Sequence, residues 1–350
     1  MRASSSSFIP GISLIRIILC LMICIFHWKG WSSVGGGVGV DWFIVLSGFL
    51  MIFTLKEKKF SDSSFYISKF ARLWPLLFTA FLLSALVSYK SQFNINNLLS
   101  VFIASFGGNE FVYRYTGNNY ALWYMKLEIL FVLLFPLVAY GRKYLILMLG
   151  ISFATALACI FLKPNEQLYT YPPYRLWQFF AGCYAAQLYR KHERFLPWSP
   201  LIFVSGILYL FFQAFIGTSW ITGEKVSSLG FLLVDTLIAI LAIFSACSLE
   251  KHPKSSLIKI PSDLIHLINR TSLLSYAIFP LHIPVLQFMQ NFWANHHYEP
   301  HSAIFWLSSC LLLIIVGIIV HCGIEQPCGK WLSSKLKQSL SFLKNSTYSS

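Results

Sequence analysis

Apolar residues run along this chain in blocks of about twenty, the length of one bilayer crossing, separated by short polar, aromatic and basic stretches. The blocks predict helices over roughly 11–29, 37–55, 71–89, 120–140, 144–162, 174–189, 198–216, 227–248, 272–292 and 302–322. Segment 95–106 is apolar but short, and is expected to be interfacial or re-entrant. The fold class expected is all-α: a polytopic integral membrane protein of about ten transmembrane helices with an internal cavity. In domain terms the pattern divides the chain into a tail over 1–10, a transmembrane domain over 11–326 and a basic cytoplasmic tail over 327–350. The first block has no small-residue cleavage site behind it, so it is expected to stay as a helix and not to be a signal peptide.

Charge refines the topology. The chain is 56% hydrophobic and only 11% charged, well under the roughly 25% of a soluble domain. Its formal net charge of +14 would suit nucleic acid, but the cations sit in short loops between apolar blocks, so no nucleic-acid partner is expected. Arg2, the group Lys56, Lys58, Lys59, Lys69 and Arg72, then Arg142, Lys143, Arg190, Lys191, Arg194 and the later basic loops fall on one side. Lys29, Lys90, Arg114, Lys163, Lys225 and Arg175 fall on the other, a bias of about three to one that places both termini in the cytoplasm. Most of the eight cysteines lie inside apolar blocks without metal spacing or a disulfide framework, so no metal site is expected. The outer loops mix aromatic and polar residues, a composition that suits either a sugar or the headgroup interface.

Candidate chemistry lies in ionisable residues inside apolar blocks, each costing roughly 2.5–3.5 kcal/mol on insertion scales. Arg16 and His27 share one helix eleven residues apart, so they lie on one stripe about 16 Å apart along the axis. Arg16 could clamp a phosphate or snorkel to the inner interface; His27 could act as a general base or be hydrogen-bonded at the outer one. Asp41 opens the second block, in GGVGVDWFIVLSGFL, where it could orient His27 or cap a helix start. Ser47 and Gly48 notch the same helix, either for close helix packing or for a ligand against the backbone. Glu128 lies inside the fourth block, beside Lys126 in sequence but on another face. His282 stands between Pro280 and Pro284, which free carbonyls in that helix. Asp235 has no motif around it and is expected to be structural.

Several of these stretches together resemble the membrane acyltransferase-3 family, bacterial O-acyltransferases that modify surface glycans. The likeness rests on SLIRIILCLMICIFH, GGVGVDWFIVLSGFL, FYISKFARLWP, ALWYMKLEILFVLLFP, LLSYAIFPLHIPV and GIEQP, in family order from residue 14 to 327. It departs at Lys69, where the family has an arginine three residues before that of Arg72. The resemblance implies a multi-pass protein of the bacterial inner membrane that moves an acyl group, usually acetyl, from cytoplasmic acyl-CoA to a hydroxyl of a glycan or lipid-linked glycan. Acetyl-CoA would be a co-substrate, with no tightly bound cofactor. His27 would take the hydroxyl proton and Asp41 would orient it. Arg16, Lys69 and Arg72 would bind acyl-CoA phosphates, with Ser47 and Gly48 leaving room for its arm. Trp123, Glu128 and His282 would line the acceptor chamber, and Glu325 would form a structural ion pair with Arg72 or Arg16. A transporter or flippase, with the buried charges as coupling groups, is the rival class.

Overall fold

A computed structural model describes residues 9–28, 35–55, 60–89, 92–108, 119–162, 170–191, 198–216, 225–249, 261–296 and 302–347. The described residues are helical throughout, as apolar blocks in lipid must be, because a helix satisfies its own backbone groups. The α-helices are α1 Pro10–Trp28, α2 Gly35–Phe53, α3 Asp62–Tyr89, α4 Ile95–Ile103, α5 Trp123–Tyr140, α6 Leu145–Leu162, α7 Pro172–Lys191, α8 Ser199–Ile216, α9 Lys225–Leu249, α10 Ser262–Asn295, α11 Ala303–Val320 and α12 Gln326–Thr347. All ten predicted blocks fall on helices. Among the described residues, seven stretches are long and apolar enough to cross a membrane by length and composition, while 37–53 and 199–213 are shorter apolar helices. The helix over 172–191 carries too many polar residues to stand in either group.

The chain forms two compact units, one of residues 1–58 and 133–275, the other of 59–132 and 276–350. In the first unit α2 is the central helix, packed by α1, α7, α8 and α9. Its contact with α7 is the most extensive, and its cause is two glycines. A Cβ on Gly48 would run into the carbonyl oxygen of Phe179, and one on Gly182 into that of Val45. Two backbones therefore lie against each other where neither helix has a side chain, the small-residue contact that membrane helices use in place of hydrophobic drive. Arg190, near the end of α7, donates from Nη2 to the carbonyls of Phe53 at 2.8 Å and Leu55 at 2.5 Å. It thereby satisfies orphan acceptors at the C-terminus of α2. The contacts run in the same order along both helices, so α2 and α7 are parallel neighbours. At the edge of this unit, α6 shows Ile146, Leu147, Ile151 and Phe161 on its surface, an apolar exterior that water would not tolerate at this extent.

In the second unit α3 packs against α4 and α12. Phe70, Trp74, Phe102 and Phe106 stack into an aromatic cluster that seats α4 on α3. Gly329 of α12 lets that helix approach the carbonyl of Ala71, where a Cβ would come to 2.9 Å. Ala71 is four residues before Pro75, which has no N–H to donate to it. The same defect occurs in α10, where Pro284 leaves the carbonyl of Pro280 without its helical donor. Asn119 replaces it: Nδ2 donates to Pro280 O at 3.0 Å and to Ser84 Oγ at 3.0 Å. Residues 327–347 of the expected basic tail form most of α12. It joins α11 through a π turn over His321–Glu325.

Candidate functional site

In the first unit, Arg16 and His27 stand on one unbroken helix, both half-buried. The absence of a kink in α1 keeps their axial separation at about 16 Å. The ring of His27 meets that of Phe26 edge-on, with centroids 4.9 Å apart.

Asp41 is not the partner of His27 that the spacing suggested. Arg175 Nη1 donates to Asp41 Oδ1 at 2.6 Å, and both side chains are buried. Depth explains the difference. Gly39 already packs beside Ile23 and Leu19 of α1, so Asp41, deeper in α2, lies well over one helical turn along the axis from His27. The pair continues outward. Arg175 Nη1 also donates to Gln178 Oε1 at 3.2 Å, and Gln178 Nε2 donates to Thr236 Oγ1 at 3.3 Å. Next to Thr236, Asp235 accepts from the hydroxyl of Tyr209, which accepts in turn from Gln213 Nε2 at 3.0 Å. Asp41, Arg175 and Asp235 thus anchor a buried polar layer that ties α2, α7, α8 and α9 together.

Gly48 is also corrected. Its missing side chain makes room for the backbone of α7 at Phe179 and Cys183, so no acyl-CoA arm can occupy that notch. Ser47 is half-buried beside it.

In the second unit, Lys69 and Arg72 are three residues apart on α3 and share a face. The Lys69 ammonium lies 5.8 Å from the centre of the Phe65 ring. The Arg72 guanidinium stacks on Tyr276 at 4.1 Å, and its Nε stands 3.6 Å from Glu325 Oε1. Arg72 remains 41% exposed while Glu325 is 5% exposed, so the cation keeps donors for another anion. Glu325 Oε2 accepts from His321 Nδ1 at 2.8 Å, and Gln326 Nε2 donates to His321 Nε2 at 2.9 Å. The two bonds together assign His321 the neutral Nδ1–H tautomer.

Glu128 is buried in α5, and Trp123 opens that helix half-buried. Tyr124 meets Phe279 of α10 edge-on at 5.2 Å. His282 is wholly buried, with Nδ1 bonded to the carbonyl of Phe279. A carbonyl only accepts, so Nδ1 carries the proton and Nε2 is the ring's basic nitrogen.

Three side chains that organise the helices around these residues escaped the sequence. Arg175 falls among the loop cations when charges are assigned by block, although Gln178 three residues on marks a polar helix face. His321 lies at an end of an apolar block with nothing in its spacing to Glu325 that singles it out from a surface pair. Asn119 stands outside the apolar block it serves. The basic residues Lys56, Lys58 and Lys59, which share the cytoplasmic-side group with Lys69 and Arg72, lie outside the described residues.

The sequence model of a family described as "Acyltransferase domain" matches residues 9–322. Two proteins of Staphylococcus aureus are similar to this chain. "Putative O-acetyltransferase SAR0937" of strain MRSA252 is 26% identical over 383 residues, covering 95% of this chain and 60% of its own length. "Putative O-acetyltransferase SACOL0978" of strain COL is 30% identical over 149 residues, covering 37% of this chain and 24% of its own length. The chain therefore spans less than two thirds of the length of these curated relatives. No solved structure matches it.

Proposed function

Because this chain belongs to the acyltransferase-3 family, we propose that it is an integral membrane O-acetyltransferase. It takes acetyl from cytoplasmic acetyl-CoA and places it on a sugar hydroxyl of a surface polysaccharide at the outer face of the bacterial inner membrane. The observation that carries this is the family match over 9–322, which takes in the helix bearing both Arg16 and His27. The names of the two staphylococcal relatives support the same reaction class.

His27 acts as general base. Its imidazole accepts the proton of the acceptor hydroxyl as the oxygen attacks the thioester carbonyl. The tetrahedral intermediate collapses with cleavage of the C–S bond. The imidazolium returns its proton to the leaving sulfur, so an ester and CoA-SH leave and the enzyme is unchanged. Arg16, Lys69 and Arg72 bind the CoA phosphates, Arg72 with the donors that Glu325 does not take. Trp123, Glu128 and His282 belong to the acceptor chamber, and Asp41 positions α2 through Arg175.

Mass analysis of surface polysaccharide from cells with and without the protein tests the proposal. The expected difference is one acetyl group per modified unit, together with acetyl-CoA binding that Arg16→Gln or Arg72→Gln weakens. A transporter or flippase would leave the polysaccharide mass unchanged and show no acetyl-CoA affinity.

A further inference from the structure

In the first unit, α5 ends at Tyr140 and α6 starts at Leu145, with a single 3₁₀ turn, Arg142–Tyr144, joining them. The stretches on both sides are long and apolar enough to cross a membrane, and Gly141 alone separates them. A turn so placed stands at a bilayer surface, whichever leaflet that is. Gly141 makes it tight. Its N–H donates to the carbonyl of Leu137 at 2.8 Å, and a Cβ there would lie 2.6 Å from that oxygen. The surrounding side chains fit the position. Leu137, Ile146 and Leu147 are exposed on either side of the turn, and Tyr140 and Tyr144 are exposed within it, as interfacial aromatics are.

The two cations of this turn are placed unequally. Lys143 is exposed, with its ammonium 4.8 Å from the centre of the Tyr144 ring. Arg142 is half-buried, and its Nε–H is shut off from solvent with no acceptor among the described residues. The helices joined here have no carboxylate near the turn to offer it: the sequence contains no Asp or Glu over 129–162. A buried donor that has lost its hydration costs free energy until an acceptor meets it.

The chemistry of that acceptor follows from the groups present. A guanidinium is a planar fork of donors that matches a phosphate. α6 begins immediately after the turn, and the first N–H groups of a helix also favour an anion. The setting selects the source of the phosphate, because exposed aliphatic side chains on both sides match the acyl chains below a lipid headgroup. Two adjacent cations select within the lipids, since they attract a headgroup of net negative charge and repel the ammonium of a zwitterionic one.

We infer that Arg142 and Lys143 bind the phosphate of an anionic glycerophospholipid at the α5–α6 turn. Arg142 supplies the donors to the phosphate oxygens, Lys143 adds charge at the rim, and Leu137, Ile146 and Leu147 meet the acyl chains. The site stands on the turn alone and does not depend on the transferase proposal.

The test uses the full chain, delipidated in mild detergent, titrated with lipid by native mass spectrometry and followed by thermal melts. The probes are dioleoyl phosphatidylglycerol, dioleoyl phosphatidylcholine and dioleoylglycerol, which has no phosphate. Phosphatidylglycerol is expected to bind most tightly and to raise the melting temperature, phosphatidylcholine to bind more weakly, and dioleoylglycerol least. Arg142→Gln is expected to weaken phosphatidylglycerol about tenfold and Lys143→Ala about fivefold, while Arg142→Lys loses less than Arg142→Gln. Without lipid, Arg142→Gln should melt no lower than the wild type. A lower melting temperature there would mark Arg142 as a structural cation and overturn the inference. Equal binding of the three lipids, or phosphatidylglycerol binding indifferent to both Arg142→Gln and Lys143→Ala, would overturn it too. So would displacement of phosphatidylglycerol by an excess of inorganic phosphate or acetyl-CoA, which would make the turn a site for a soluble phosphate.

Discussion

At the scale of single residues, the roles proposed for His27 and Arg175 are of opposite kinds. A general base typically contributes about 10²–10⁴-fold to rate. His27→Ala is therefore expected to reduce acetyl transfer by that order while the purified protein elutes and melts as the wild type does. Near-normal turnover would discard the role. Arg175 is a structural cation. Breaking a buried ion pair from one side costs about 3–5 kcal/mol, so Arg175→Leu should lower the melting temperature sharply. Replacing both partners, Asp41→Leu with Arg175→Leu, should recover part of the loss, because no buried carboxylate is then left unpaired. A double mutant no more stable than Arg175→Leu would show that Asp41 and Arg175 are not coupled. The sequence supplied Asp41 and hid its partner. An ion pair between residues 134 positions apart leaves no trace in local spacing, and the order of His27 and Asp41 along the chain does not report their depth, which the packing of Gly39 beside Ile23 sets.

At the scale of helices, hydropathy located the apolar blocks and missed their extensions. α3 begins at Asp62 and α10 at Ser262, each about ten residues ahead of the apolar block that predicted it. Those first turns are polar, and hydropathy reports lipid burial and not helicity, so it falls silent where a helix leaves the apolar region. α12 is invisible to it for the same reason, being basic and amphipathic. The Ser47-Gly48 notch was legible as a feature, and both uses were open until α7 filled it. Gly48→Ala and Gly182→Ala are each expected to destabilise by about 1–3 kcal/mol, the cost of overpacking a close contact. Thermal melts in detergent would show it. The same substitution at Gly150, where a Cβ meets nothing within 4 Å, serves as the control.

At the scale of the whole molecule, the parallel course of α2 and α7 constrains how the chain threads. Two crossings in the same direction need an odd number between them. If α2 and α7 both cross, α3, α5 and α6, which are long and apolar enough to do so, would supply three, with α4 left on one side of the bilayer as its length suggests. The orientation expected from the basic loops has a direct check. In intact cells an impermeant maleimide should label Ser88→Cys and spare the exposed native Cys328, with labelling reversed in inside-out vesicles. Labelling of Cys328 from outside would invert the topology. One contact has consequences beyond this molecule. The amide of Asn119 stands in for the N–H that Pro284 cannot supply to Pro280, so the two residues, 165 positions apart in sequence, answer one need. Asn119→Ala should impair the protein, and Pro284→Ala should act as its second-site suppressor by restoring the missing donor. Across descendants of this sequence the pair is then expected to be inherited together, each position drifting once the other is lost.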